Sequence, residues 1–140
     1  MIVIGEEICQ WVAWKTGGEY YKGSGQGIGW IDEKGDELVA GASYDSCNGS
    51  SCHIAVAAVP GKRWLRREFL WYMFYYPFEE LKVNKLLSIV DSTNLDSIKF
   101  TEHLGAIRHT TIPEAGKNGC DMFIYVLDKQ NCKFLNIRRP

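Results

Sequence analysis

The sequence has almost no net charge. Lys and Arg total 16 against 17 Asp and Glu, a formal −1 with histidine neutral. No overall field therefore draws the chain to nucleic acid or to an anionic membrane, and any basic site must be local. There is no long hydrophobic run either: the most apolar stretch, Phe69 to Phe78, is far shorter than the roughly 20 residues of a membrane helix. No Lys or Arg precedes Lys15, and Glu6 and Glu7 fall where a secretion signal would be basic. The expectation is a cytoplasmic chain without a membrane partner. Only 3 histidines and 5 cysteines are present, and Cys9, Cys47, Cys52, Cys120 and Cys132 show no zinc-ligand spacing with one another or with a histidine. No metal is expected. An odd number of cysteines in a cytoplasmic chain predicts reduced thiols; Cys47 and Cys52, flanking the turn "NGSS", are the one place where a facultative bridge stays open.

What is present is apolar mass. With 46% hydrophobic residues over 140 positions, the chain is expected to fold as one domain, residues 1–140, around a real core. Ile8, Trp11, Val12 and Lys15 recur at helical spacing and the pattern stops at Gly17-Gly18, so the first helix ends there. Ser24 to Gly29 is glycine-rich and weakly phased, which predicts a loop. Ile28 to Asp32 and Leu38 to Tyr44 flank the turn residues Glu33 to Asp36 and predict a β-hairpin. Cys52 to Val59 is continuously apolar, the pattern of a central strand buried on both faces.

A basic cluster, "KRWLRR", follows Pro60-Gly61 and leads into a helix whose apolar face takes in Leu65, Phe69, Leu70, Met73 and Phe74. Pro77 is expected to end or kink that helix near Tyr76 and to begin a further turn. Lys85 to Ser92 reads as a strand. Asn94 to Ala106, "NLDSIKFTEHLGA", reads as a short capped helix stopped by Gly105. "AIRHTTIP" and "CDMFIYVLDK" are two strands around the turn "EAGKNG". The order is helix, three strands, helix, strand, helix, two strands, which predicts a mixed α/β fold with one central sheet.

That order, with Asn94, Ser97, Gly105 and the strands around them, resembles the GNAT superfamily of acyl-CoA N-acyltransferases. Members commonly follow a strand-ending Asn with a small residue three positions on, a Tyr seven on, a Gly eleven on and then Phe; here the places hold Asn94, Ser97, Thr101, Gly105 and Ala106. The stretches "GDELVAGASYD", "CHIAVAA", "RWLRREFLWYMFYYPFEEL" and "GCDMFIYVL" also resemble a short group encoded by bacteriophages. The resemblance covers most of residues 28–128. It implies an α/β fold with a single mixed, mostly antiparallel sheet, helices on both faces, and two central strands that run parallel and splay apart.

It also implies acetyl-CoA as co-substrate. A pyrophosphate suits a helix N-terminus, and Pro60 to Arg67 is where such a terminus coincides with Lys62, Arg63, Arg66 and Arg67. Trp64 and Leu65 lie in the same turn, where the superfamily usually has glycines. Pantetheine amides suit the edge exposed where the Ala57–Val59 end of one strand parts from the next. Asn94 is read both as a plain N-cap and as a ligand of the arm, with Ser97 beside it.

Acetyl transfer to an amine needs a base, a donor for the oxyanion and a proton for the thiolate. A backbone N–H near Val59 suits the second role. For the base, His53 comes first and a water held by Glu68 second. For the proton, Thr101 is no acid, so Tyr125 or Tyr44 substitutes, or the thiolate leaves unaided. The acceptor is an unknown amine, a protein Lys or N-terminus included, and a homodimer is left open. The alternative is a GNAT-like scaffold without turnover that binds a host or partner protein. A nucleic-acid module ranks third.

Overall fold

The computed structural model describes residues 1–136. A strand that sequence patterning passes over, β1 (Ile2–Ile4), precedes α1 (Glu7–Thr16), and Gly17 in the left-handed region closes that helix as expected. Then come β2 (Gly25–Asp32), β3 (Glu37–Asp45), β4 (Ser51–Ala58), α2 (Arg67–Tyr75), β5 (Lys85–Asp91), α3 (Leu95–His103), β6 (Ile107–Ile112) and β7 (Met122–Asp128). The seven strands form one sheet in the order β1-β2-β3-β4-β5-β7-β6. Every neighbouring pair is antiparallel except β4–β5, which is parallel. β4 is central, and the expected mixed α/β architecture is the one observed.

The helices lie on both faces. Ile8 and Val12 of α1 pack with Ala57 on one face; Phe69, Met73 and Phe74 of α2, with Leu104 after α3, pack into the larger core on the other. Residues 24–29 are not the loop their glycines suggest. From Gly25 they belong to β2, because the glycines let α1 lie directly on the sheet: a Cβ at Gly27 would come 2.6 Å from Ile8 Cβ, and one at Gly41 2.9 Å from Ile8 Cγ2.

α2 ends at Tyr75, ahead of Pro77 as expected, and a further turn begins at once. The chain continues as a π-type turn (Tyr76–Glu80), with Leu81 N–H donating to the Tyr76 carbonyl at 3.0 Å. A proline at 77 removes the N–H that would have served the Met73 carbonyl four residues back. That carbonyl accepts instead from the Tyr44 hydroxyl, reaching over from β3. Tyr44 is fully buried, so donor and acceptor satisfy each other where water is excluded. Leu65 differs from expectation too: it precedes α2 and is half exposed, because helical geometry begins only at Arg67.

Cys47 and Cys52 are joined by a disulfide across the β3–β4 turn, which brings their Cα atoms to 4.2 Å. This corrects the expectation of reduced thiols throughout; Cys9, Cys120 and Cys132 are free. Among the described residues no helix is long and apolar enough to cross a membrane.

Candidate active site

The site begins with a pairing that stops early. β4 and β5 are in register only at Ser51–Lys85, Cys52–Leu86 and His53–Leu87. Beyond these the strands part, leaving a cleft of about 370 Å3 whose walls include His53, Val56, Ser88, Asp91, Asn94 and Ser97.

The β3–β4 register determines which main-chain groups face that cleft. Val59 N–H donates to the Val39 carbonyl at 2.8 Å, and the antiparallel register continues through Gly41–Ala57, Ser43–Ala55 and Asp45–His53. In such a ladder alternate pairs exchange hydrogen bonds and those between them point the other way. Ala57 and Val59 therefore spend their main-chain groups on β3. The amides aimed at the parted edge are those of Val56 and Ala58, one residue out of phase with the expectation. The Ala57 side chain lies against α1, 8% exposed.

Asn94 caps α3, its Oδ1 accepting from Ser97 N–H at 3.2 Å. The capped end stands at the cleft, so Asn94 and Ser97 serve as cap and wall at once. Thr101, 6% exposed, lines the adjoining hollow under α3 with Ser88, Ser97 and Phe100.

His53 lies on the α1 face of β4 and reaches the cleft from that side. Its Nδ1 is 3.2 Å from Asp45 Oδ1, a pairing that fixes the ring and leaves Nε2 available. The sequence reading names His53 and not Asp45; the β3–β4 register, which sets the two opposite, is the signal that joins them.

The tyrosines are not brought to the cleft. Tyr125 is buried on β7 and donates to Glu102 Oε2 at 2.6 Å, and Arg108 Nη2 lies 3.5 Å from its hydroxyl. Burial, then the bond to Glu102, raises its pKa above the ordinary phenol value, so it is a weaker acid than a free tyrosine. Tyr44 is committed to Met73, and burial holds its pKa well above that of a free phenol.

The basic cluster stands at the C-terminal end of β4, the end at which the strands have parted. Lys62, Arg63, Arg66 and Arg67 are exposed. Arg66 precedes the helix in extended conformation and its side chain makes no cap bond, so the positive end of the α2 dipole lies beside the cluster. Trp64 anchors the turn, its ring 6.2 Å from Phe69 of α2 and 5.3 Å from Phe100 of α3. Leu65 points to solvent and Glu68 is exposed on the first turn of α2.

No protein-family model and no curated protein matches the sequence. Solved structures do match in three dimensions. A spermidine N-acetyltransferase (SpeG) from Vibrio cholerae aligns with a TM-score of 0.75 at 12% identity, over 96% of this chain and 96% of its own. The chain has the GNAT fold. A GNAT-family acetyltransferase from Bacillus anthracis aligns over 74% of this chain and 66% of its own, with a TM-score of 0.62 at 16% identity. A ribosomal-protein-S5-alanine acetyltransferase from Vibrio fischeri aligns over 78% and 64%, at 0.65 and 13%. These neighbours, each described as an acetyltransferase, share their architecture with this chain at 12%, 16% and 13% identity.

Proposed function

We propose that the chain is an acetyl-CoA-dependent N-acetyltransferase that acts on an amine, with residues 1–140 as one domain. The observation that carries this reading is the parting of β4 from β5 with the Val56 and Ala58 amides turned into the gap. An extended chain of amides and a thioester is the ligand that such an edge suits, because it can add to β4 as a short strand. Lys62, Arg63, Arg66 and the start of α2 then meet the phosphates. Asn94 and Ser97 close the other wall.

In this reading the acceptor enters as an ammonium from the α1 side and gives one proton to His53 Nε2, while Asp45 stabilises the imidazolium. The amine nitrogen attacks the thioester carbonyl; the oxygen takes the developing charge and a cleft-facing N–H donates to it. When the C–S bond breaks, the second amine proton leaves with the sulfur. A thiol pKa of about 8.5 allows the thiolate to depart without a dedicated acid. Thr101 therefore has no proton to supply, and Thr101→Ala is expected to keep kcat near that of wild type; a loss of about 10²-fold or more would make its hydroxyl a participant.

Replacing Lys62 and Arg63 together by alanine is expected to weaken CoA by about tenfold or more. The loss should be smaller for dephospho-CoA, as calorimetry with the two ligands would register. An equal loss for both would remove the 3′-phosphate from this cluster. A specific observation also favours the second reading, a scaffold that binds a partner without turnover: Thr101 stands where the superfamily's acid is usual. CoA binding with no acetylation of any amine would select it. The likeness to bacteriophage sequences extends either reading to a host-directed protein of the bacterial cytoplasm.

A further inference from the structure

The Cys47–Cys52 bridge stands directly beside the Asp45–His53 pair. Asp45 ends β3 and is set opposite His53, the last pair of the β3–β4 ladder. Two residues on from Asp45, and one residue before His53, the chain is tied by the bridge. The register that turns Ala57 and Val59 to β3 turns the His53 N–H to the Asp45 carbonyl as well. Main chain and side chain of this pair are therefore held at the same point.

Between Asp45 and Cys47, Ser46 lies in the left-handed region at φ 52°. A serine seldom adopts that conformation without a constraint, and the bridge is one. The rest of the turn is closed on itself: Asn48 Oδ1 accepts from Ser50 N–H and Ser51 N–H, both at 2.9 Å, and Asn48 N–H donates to the Ser51 carbonyl at 3.2 Å. The turn also supports the root of the cleft, since the Ser50 carbonyl accepts from Asn84 N–H at 2.8 Å, just where β5 begins. The two sulfurs differ in access: Cys47 is exposed and Cys52 is fully buried.

We propose that Cys47–Cys52 is a thiol–disulfide exchange site, taking a thiol of the glutathione class, whose bridged form holds Asp45 against His53 and whose dithiol form releases them. The link to catalysis rests on the acetyltransferase reading. An incoming thiolate attacks the exposed Cys47 sulfur. A new S–S bond forms to it, the Cys47–Cys52 bond breaks, and its electron pair leaves with the Cys52 sulfur, which takes a proton. A second thiolate attacks the incoming sulfur of the mixed disulfide and releases Cys47 as a thiolate. Two electrons have reached the protein, and the two incoming thiols have left as one disulfide. The reverse sequence, from oxidised glutathione, restores the bridge. In the open form Ser46 is free to return to negative φ, and the end of β3 to part from β4. In a cytoplasm, the compartment proposed for this chain, bridges are as a rule transient or redox-sensing.

The test equilibrates the full chain in buffers of reduced and oxidised glutathione, counts free thiols by alkylation and mass spectrometry, and follows the His53 amide by hydrogen exchange. Cys47 and Cys52 are expected to open and close together, reversibly, across the series; a bridge that never forms, or that no glutathione ratio opens, overturns the proposal. On opening, exchange at His53 should quicken at least about tenfold, while that at Ala57, farther along β4, stays the same. Cys47→Ser, at an exposed position, should show the open-form rate in every buffer. Unchanged His53 exchange in the reduced protein, equal quickening at Ala57, or a response to glutathione that persists in Cys47→Ser would also overturn it. kcat should follow the bridge, about tenfold lower in the open form, with acetyl-CoA affinity unchanged; a kcat indifferent to the bridge overturns the link to catalysis. Absence of turnover in both forms counts against the acetyltransferase reading alone, and the His53 amide then decides the exchange site.

Discussion

Replacing His53 with alanine is expected to lower kcat by about 10² to 10⁴-fold and to leave acetyl-CoA binding unchanged. The ring sits on the face of β4 opposite the large core, paired with Asp45 at 3.2 Å and open to the cleft. Its loss removes a proton acceptor and little packing. Asp45→Asn should cost less, because the ring stays in place while its cation loses a partner. Wild-type kcat in His53→Ala would show that the ammonium is deprotonated elsewhere, and a water at Glu68 would become the base to test.

The largest effect on stability is expected at Phe74. It is 1% exposed and stacks on Phe134 with ring centroids 5.2 Å apart and planes at 15°, holding the last turn of the described chain against α2. Phe74→Ala should lower unfolding free energy by about 3–5 kcal/mol, the range for removing a buried aromatic ring. Urea denaturation followed by circular dichroism measures it. A loss below about 1 kcal/mol would mean that the cavity collapses at little cost.

Tyr44 makes a smaller companion case. Tyr44→Phe removes only the hydroxyl but orphans the Met73 carbonyl that Pro77 has already deprived of its helical donor. A cost of about 1–3 kcal/mol is expected, read in the same denaturation experiment. A neutral substitution would show that another donor reaches Met73.

The sequence was most informative where side-chain period and packing agree. β3, β4 and β5 have long apolar runs, and the helix between β4 and β5 implied a parallel pair with a right-handed crossover; that pair is present, and it parts as expected. Asn94 was readable because capping is a local property of one residue and the N–H three positions on. The misses have equally definite causes. Gly25 to Gly29 read as a loop because glycine lowers strand propensity, whereas here its missing Cβ admits α1. Three residues of β1 are too few to show a period. The end of α2 ahead of Pro77 was legible because proline acts locally; the donor to the Met73 carbonyl was not, because Tyr44 lies 33 positions before Pro77, on β3. In the site, the one-residue phase error at Ala57 and Val59 arose because apolar periodicity does not reveal which edge a given amide faces; the β3 register does. Tyr125 was named for its hydroxyl, but a residue's type does not disclose its partner, and Glu102 has taken it.

The central claim is that the edge between β4 and β5 receives acetyl-CoA, and direct titration tests it. Isothermal calorimetry of the wild-type protein with acetyl-CoA and with CoA should give saturable binding, one ligand per chain, weakened in Val56→Pro, which deletes a cleft-facing N–H without touching a bond to β3. No heat and no thermal shift at millimolar CoA would contradict the account.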